Sequence, residues 1–134
     1  MCIDYLVDFE KFAERHFIKR FAKKYKSAWV ATRKALDQQL RRPDILLKRS
    51  IAEMIVANKY YQICKVEFRI AGPGKSRKAS GNRCIVVLNN GLRTVRVLCV
   101  YHKADLEGPG NETTKWKKII CDAFPEFMDL LKEN

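Results

Sequence analysis

Three apolar runs in the middle of the chain constrain its fold more than any other feature. The first, "YQICKVEFRI", alternates with a period of two, which predicts a strand with one wet face. Its apolar face carries Val66, Phe68 and Ile70, and its charged face carries Lys65, Glu67 and Arg69. The runs "RCIVVL" and "LRTVRVLCVY" follow, separated by Asn89–Gly91, residue types that favour a hairpin turn. We therefore predict an antiparallel three-stranded meander whose third, mostly apolar strand is central.

Helical periodicity dominates the part of the chain before the meander. Tyr5–Val7 is a possible short strand, and apolar residues then recur at helical spacing: Phe12, Ala13, Phe17, Phe21 and Tyr25. Ser27 is a candidate cap for a second helix that Pro43 ends, with Val30, Leu36 and Leu40 as its apolar positions. Two helices with almost no loop between them predict an antiparallel hairpin. The segment "DILLKRSIAEMIV" is read as a further short helix.

The chain ends in a second helical region. Thr113 or Thr114 can cap "KWKKIICDAF", and Pro125 breaks this helix before "EFMDLLKEN". The predicted fold is therefore α+β, a single domain over residues 1–134: an N-terminal helical hairpin packed on a small antiparallel sheet with a C-terminal helix. We expect the helices to cover one face of the sheet and to leave the other open.

The charge of the chain points to an anionic partner. The 134 residues carry a net charge of +12, and between Glu67 and Asp105 there are 8 basic residues and no acidic one. Like charges repel in a compact state, so such an excess indicates an anionic partner. Nucleic acid is the leading class, followed by an acidic protein or an anionic membrane surface.

Several functional classes are disfavoured by what the sequence lacks. Its five cysteines are odd in number and widely spaced without a C-x-x-C pair, and its two histidines are isolated, so neither a zinc site nor a disulfide framework is indicated. No apolar run approaches the ~20 residues of a membrane span. We expect no cofactor, no metal, no membrane contact, no signal peptide and a cytoplasmic location.

The connection between the first two strands of the meander is the candidate site. Arg69 leaves one strand, Arg83 enters the next and Lys103 ends the third, so these ends can converge with the loop residues Lys75, Arg77 and Lys78. Tyr101 offers a stacking face, and His102 is suited to proton transfer near neutrality. Metal-free RNA cleavage needs cations for the phosphorane, an acid for the leaving oxygen and a base for the 2′-hydroxyl. His102 or Tyr101 could be the acid, and a lysine or Glu67 the base.

Simpler roles for the same residues remain open. The basic loop could only hold phosphate, Arg69 could be a solvated strand residue, and His102 could be structural. Lys23 and Lys24 are most simply a solvated helix end.

The order of these pieces resembles the RelE/ParE superfamily of bacterial toxins, its RelE/HigB-like branch in particular. The segments that carry the resemblance are "FIKRFAKKY", "VEFRIAGPGKSRKASGNRCIVV" and "VRVLCVYHKADL". The similarity covers roughly residues 10–120, and its specific part lies at 66–106. Here "KSRKASGNR" has extra cations and one glycine where the family's loop is usually tighter.

The resemblance implies a type II toxin that cleaves mRNA without a metal, often on the ribosome, and that is neutralised by a cognate antitoxin with an acidic segment. It places Arg83, Tyr101 and Lys103 at the RNA-facing site and makes Lys75 and Lys78 plausible phosphate ligands. Two alternatives stay open: a toxin of the same fold that poisons a protein target such as a topoisomerase, for example DNA gyrase, and a non-catalytic RNA-binding module.

Overall fold

A mixed five-stranded sheet lies at the centre of the computed structural model, which describes residues 4–72, 74 and 76–132. The strands are β1 (Leu6–Phe9), β2 (Ala52–Ala57), β3 (Gln62–Phe68), β4 (Asn82–Asn89) and β5 (Thr94–His102), in the spatial order β1-β5-β4-β3-β2. The predicted antiparallel meander is confirmed as β3-β4-β5, with Cys64 opposite Val86 and Cys84 opposite Val100.

The edge strand β1 makes the sheet mixed. It runs parallel to β5, with Leu6 beside Thr94 and Phe9 beside Val97, so the prediction of a purely antiparallel sheet is wrong at this edge. A parallel neighbour requires a long crossover, and here the crossover is the whole stretch from α1 to β4.

The first helical region follows β1 and changes its winding along its length. It consists of α1 (Lys11–Ala13), a π-helical turn (Glu14–Ile18) and α2 (Lys19–Tyr25), and α3 (Ser27–Leu40) comes next. Lys26 separates α2 from α3 with a φ of 53°, so the chain turns at one residue. Lys26 is also the N-cap of α3 and makes no side-chain capping bond, so the predicted cap at Ser27 is wrong. The first element of the fold is the strand β1, and not the predicted helical hairpin.

The segment predicted as a short helix is half helix and half strand. Pro43 begins α4 (Pro43–Lys48), and its fixed φ and missing N–H suit a first helical turn. Ser50 then has a φ of 58°, after which β2 starts. The run "AEMIV" is therefore an edge strand that pairs with β3.

The C-terminal helices are α6 (Glu112–Ala123) and α7 (Met128–Lys132), with a 3₁₀ turn (Pro125–Phe127) between them. Asn111 is the N-cap of α6, because its side-chain oxygen accepts the Thr114 N–H at 2.9 Å, and the predicted caps at Thr113 and Thr114 are two and three residues too late. The predicted break at Pro125 is confirmed.

Helices cover both faces of the sheet, and the predicted open face is therefore wrong. One core lies against α1–α4 and includes Trp29, Leu36 and Leu40, with Cys84, Val86 and Leu88 from β4. The other core lies against α6 and α7 and includes Trp116, Ile120 and Phe127, with Ile85 and Val87 from β4. Alternate residues of β4 thus enter different cores, which is why this strand is apolar at every position from Cys84 to Leu88. Within the described residues, no helix is both long enough and apolar enough to cross a bilayer.

Candidate nucleic-acid interface

A groove crosses the end of the sheet where β3 and β5 finish and β4 begins. We call it the basic groove. One part of it, of about 560 Å³, lies between the α2–α3 junction and the 3₁₀ turn Lys103–Asp105 that follows β5. A second part, of about 570 Å³, continues along α3 and shares Arg69 and Ala71 with the first. A smaller recess adds Arg20 and shares Lys24, Tyr25 and His102 with the first part.

Positive charge dominates the lining of this groove. Among the described residues that line it, the only carboxylate is Asp105. The cationic side chains are all solvent-exposed: Arg20, Lys24, Arg69, Arg77 and Lys78. None of these five forms an ion pair with a carboxylate in the part of the chain that the structure describes. Exposed cations without carboxylate partners favour a polyanion, whose phosphates take the place of their counterions.

Hydrogen bonds fix the loop that forms one wall of the groove. The buried Thr32 side chain accepts the Ala71 N–H at 2.7 Å and donates to the Ala28 carbonyl at 2.7 Å, so the loop is fastened to α3. Arg69 donates from Nη1 to the Gly72 carbonyl at 2.9 Å, which curls the loop around its guanidinium. The part of the loop from Arg69 to Gly72 is therefore held by protein hydrogen bonds before any ligand binds.

A one-turn helix supports the other end of the same loop. Helix α5 (Arg77–Ser80) is capped by Ser76, whose Oγ accepts the Ala79 N–H at 3.3 Å. Ser80 donates from Oγ to the Phe68 carbonyl at 2.7 Å and so ties α5 to the end of β3. Arg77 and Lys78 are exposed on this turn, beside Arg69 in the groove.

Tyr25 is the aromatic side chain of the basic groove that a base could reach. Its ring is half-buried, stacks on Phe21 with centroids 6.1 Å apart, and has Lys24 Nζ 5.2 Å from its centroid. An aromatic face next to a cation is the usual pairing at a single-stranded nucleic-acid site, because the ring stacks on a base while the cation contacts phosphate.

His102 lies in the groove in a defined tautomer. Its Nδ1 accepts the Ala104 N–H at 3.0 Å, so Nε2 bears the proton of the neutral ring. The ring packs on Gly81, where a Cβ would lie 2.8 Å from Nε2 and where φ is +78°. Both the lack of space for a Cβ and the positive φ favour glycine at this position. In this arrangement Nε2 carries a proton and lies against Gly81, and Nδ1 is already used as an acceptor.

Arg83 is buried under the first turn of α6, where it contacts two carboxylates. It is 8% exposed; its Nη2 lies 3.4 Å from Glu67 Oε2, and its Nε lies 3.2 Å from Glu112 Oε2. The Nε contact is an ion pair without hydrogen-bond geometry, and Nη1 has no hydrogen-bond partner among the described residues. Arg83 therefore joins β4 to β3 and α6, and it does not face solvent.

Tyr101 belongs to the same buried group. It is 2% exposed, and its hydroxyl donates to Glu112 Oε2 at 2.7 Å. Burial, and then the hydrogen bond to the Glu112 carboxylate, raise the pKa of Tyr101 above its ordinary value. The raised pKa makes this phenol a weaker acid than a solvent-exposed tyrosine, and its proton is already shared with the Glu112 carboxylate. We call Arg83, Glu67, Tyr101 and Glu112 the buried clamp.

The structure separates the residues predicted to form one catalytic site. Arg83 lies beneath α6. Tyr101 is 2% exposed and its hydroxyl is bonded to Glu112 of α6, although the residue also borders the small recess of the basic groove. His102 lies in the groove, and Lys103 is exposed in the 3₁₀ turn. The expectation of a single concavity that includes Arg83 is therefore wrong, because helices cover the face it was assigned to. Arg69, Arg77 and Lys78 do lie together in the groove. Lys75 lies outside the described residues.

Sequence reasoning missed the contribution of α2 to the groove. Arg20, Lys24 and Tyr25 line it, although Lys24 had been interpreted as part of a solvated helix end. The available signal was weak: Arg20 and Lys24 are four residues apart and so share a helix face. No described group of three or more His, Cys, Asp or Glu side chains could hold a metal ion.

Comparison with known proteins finds similarity in structure but not in sequence. No protein-family model and no curated protein sequence matches the chain. A solved structure that it resembles is that of an archaeal RelE-RelB complex from Pyrococcus horikoshii OT3. The match covers 77% of this chain and 99% of that one, with 10% sequence identity and a TM-score of 0.48. At this level the likeness identifies neither a family nor an activity.

Proposed function

We propose that this protein is a RelE-like toxin that binds mRNA in the basic groove and cleaves it without a metal. In this proposal cleavage takes place on the ribosome and inhibits translation. The observation that carries the proposal is the groove itself, in which, among the residues that the structure describes, five exposed cations, Tyr25 and His102 lie beside a single carboxylate. The sequence resemblance at residues 66–106 supplies the reaction class.

Roles in this proposal are assigned to residues of the basic groove and to the predicted Lys75 and Lys103. Arg69, Arg77 and Lys78, together with Lys75, bind the phosphates, and Tyr25 stacks on a base. Lys24, Lys103 and the Nε2–H of His102 stabilise the charge that develops on phosphorus when the 2′-hydroxyl attacks.

The buried clamp acts indirectly. Arg83 and Tyr101 hold β4 and β5 against α6 and so fix the strand ends that carry His102 and Lys103. A cytoplasmic location and a cognate antitoxin are part of the same proposal.

A second function is favoured by one observation. Neither of the two predicted acids is placed as a free proton donor, because the 2% exposed Tyr101 hydroxyl is bonded to Glu112 and Nδ1 of His102 accepts a backbone N–H. An RNA-binding protein without cleavage needs the same cations and no acid. It is therefore the alternative that the geometry supports.

The experiment that separates these functions is expression in a bacterium followed by primer extension on mRNA. Cleavage within translated codons supports the endonuclease. Intact mRNA with salt-sensitive RNA binding by the purified chain supports the binding module, since phosphate contacts make affinity fall steeply with salt. Growth arrest with intact mRNA and altered DNA supercoiling supports a toxin that poisons a topoisomerase.

Matched variants test whether the groove is the site. We expect Lys24→Ala and Arg69→Ala each to weaken RNA binding by about three- to tenfold and to reduce the salt slope by about one. Lys118→Ala removes the same charge from α6, where Lys118 pairs with Asp122 at 3.1 Å, and is expected to change neither. Equal effects of all three variants contradict the groove and indicate only overall charge.

His102 allows hydrogen bonding and proton transfer to be told apart. Its Nε2–H can be replaced by the amide of glutamine, so His102→Gln keeps much of the cleavage rate if the ring only donates a hydrogen bond. If both His102→Gln and His102→Ala abolish cleavage while RNA still binds, His102 transfers a proton and the ring rearranges in the complex.

A further inference from the structure

The basic groove continues beyond Arg77 into a further recess. This recess has a volume of about 450 Å³ and shares Ala35, Gln39 and Arg77 with the part of the groove that runs along α3. Its other wall comes from α4 and from the residues that follow this helix, including Arg49 and Ile51. We call it the distal recess. The basic groove and the distal recess therefore form one continuous depression on the surface.

One stripe of α3 borders the whole of this depression. The residues of the stripe are three or four positions apart and so share one face of the helix: Ala28, Thr32, Ala35 and Gln39. Because an α-helix rises by 1.5 Å per residue, the stripe is about 16 Å long. A ligand that follows α3 along this stripe enters the distal recess when it has passed Ala35.

The distal recess offers positive charge, as the basic groove does. Arg49 is exposed and, like Arg77, forms no ion pair with a carboxylate within residues 4–72, 74 and 76–132. The third arginine, Arg42, donates to the Asp44 carboxylate from Nε at 3.2 Å and from Nη2 at 3.0 Å. None of the described residues that line the recess is acidic. The recess is therefore suited to a phosphate group, which would contact Arg49 and Arg77.

An exposed aromatic face is offered at the opposite end of the depression. Tyr25 is half-buried at the α2–α3 junction, whereas the ring of Phe68, farther along the groove, is 3% exposed and cannot stack on a base. The described lining of the distal recess contains no aromatic side chain. It contains instead the exposed amides of Gln38 and Gln39, which can donate to phosphate oxygens. A base can therefore stack at the Tyr25 end, and the distal end suits the sugar–phosphate backbone.

We propose that the distal recess is a phosphate-binding subsite for the RNA strand that occupies the basic groove. Arg49 binds a phosphate there, with the Gln39 amide as a second donor, and Arg77 lies between this subsite and the rest of the groove. Successive phosphates of one stacked strand advance by about 3.4 Å, so the depression holds a single strand of about five nucleotides. The inference rests on the RNA binding of the proposed function and is independent of cleavage.

The test measures how affinity depends on the length of the RNA. The full chain is titrated into fluorescein-labelled oligonucleotides of three, six and nine nucleotides, which are 2′-O-methylated so that no 2′-hydroxyl can attack phosphorus. Fluorescence anisotropy is read at several salt concentrations. We expect the oligonucleotide of six to bind at least about tenfold more tightly than that of three, and the oligonucleotide of nine to add less than about threefold, because the subsites are then filled.

The variant Arg49→Ala should remove most of this gain. We expect it to weaken binding of the six-nucleotide RNA about three- to tenfold and to reduce its salt slope by about 0.7–1, while binding of the three-nucleotide RNA stays unchanged. Lys48→Ala removes the same charge from the neighbouring exposed residue, which does not line the recess, and is expected to change neither affinity. Lys24→Ala acts at the Tyr25 end and should weaken binding at both lengths.

Three results overturn the proposal: equal affinity of the wild type for three and six nucleotides, equal losses in Arg49→Ala and Lys48→Ala, or a loss in Arg49→Ala that is the same at both lengths. Binding that does not depend on length contradicts the distal recess alone. Failure of every oligonucleotide to bind contradicts the RNA binding of the proposed function as well. Circular dichroism of each variant confirms that the chain is folded.

Discussion

Replacing Arg83 by alanine is expected to destabilise the fold, a consequence of the buried clamp. The arginine is 8% exposed and is shared between Glu67 and Glu112, whose side chains keep only 22% and 26% of their surface in water. Without the guanidinium, two partly buried carboxylates are left without their cation. The Tyr101 hydroxyl remains bonded to one of them. Breaking a buried ion pair from one side costs about 3–5 kcal/mol because an uncompensated charge stays behind.

We expect the low end of that range, about 3 kcal/mol, since both carboxylates can draw on nearby water. For a chain of this size such a loss lowers the melting temperature by roughly 10 °C. The measurement is urea denaturation at pH 7 followed by circular dichroism.

A charge-balanced control separates the ion pairs from the packing of the side chain. In the triple variant Arg83→Met, Glu67→Gln and Glu112→Gln no carboxylate is left without its cation, and we expect it to regain much of the lost stability. If Arg83→Ala unfolds with a free energy within 1 kcal/mol of wild type, the reasoning is refuted. Loss of toxicity in Arg83→Ala is informative about catalysis only if the variant is folded.

Two further predictions concern the loop anchor and the buried thiols. Thr32→Val keeps the shape of the side chain but leaves the Ala71 N–H without its 2.7 Å acceptor. We therefore expect the free energy of unfolding, measured by urea denaturation, to fall by about 1–2 kcal/mol and hydrogen exchange at Ala71 to become faster. If neither quantity changes, Thr32 does not anchor the loop. Burial raises the pKa of Cys99 from 9.0 to about 12, so above pH 9 the unfolded chain releases a proton that the folded chain retains. The free energy of unfolding should therefore fall between about pH 9 and 12, by up to about 1.4 kcal/mol per pH unit for each such thiol. Denaturation curves at pH 8, 9.5 and 10.5 measure this dependence, and the fall should be shallower in Cys99→Ala than in the wild type.

The meander was predictable because its signals are local. Alternation in β3 and the turn at Asn89–Gly91 require only neighbouring residues, and the structure confirms the pairing that they imply. The covered second face had a signal that was not used: "CIVVL" in β4 is apolar at every position, which is typical of a strand buried on both sides. β1 was ambiguous because it has four residues, and Leu6 among them is 74% exposed.

The site was less predictable because its geometry depends on distant partners. Nothing near Arg83 in the sequence indicates that Glu112 will lie over it, since α6 reaches it only through the tertiary fold. The same is true of Tyr25, whose place beside His102 depends on the turn at Lys26. The charged loop, in contrast, could be assigned from the absence of acidic residues alone.

The parallel pairing of β1 with β5 has a consequence for synthesis of the chain. Leu6–Phe9 leaves the ribosome early, but its partner Thr94–Val97 is made roughly ninety residues later. Until then the first strand has no ladder to join, and the helices that follow it can cover only the β2-β3-β4 part of the sheet. The nascent chain must therefore keep the remaining apolar surface out of aggregates while these residues are made. Whatever surface depends on the end of β5, including the one at His102, can form only after Thr94–His102 has emerged.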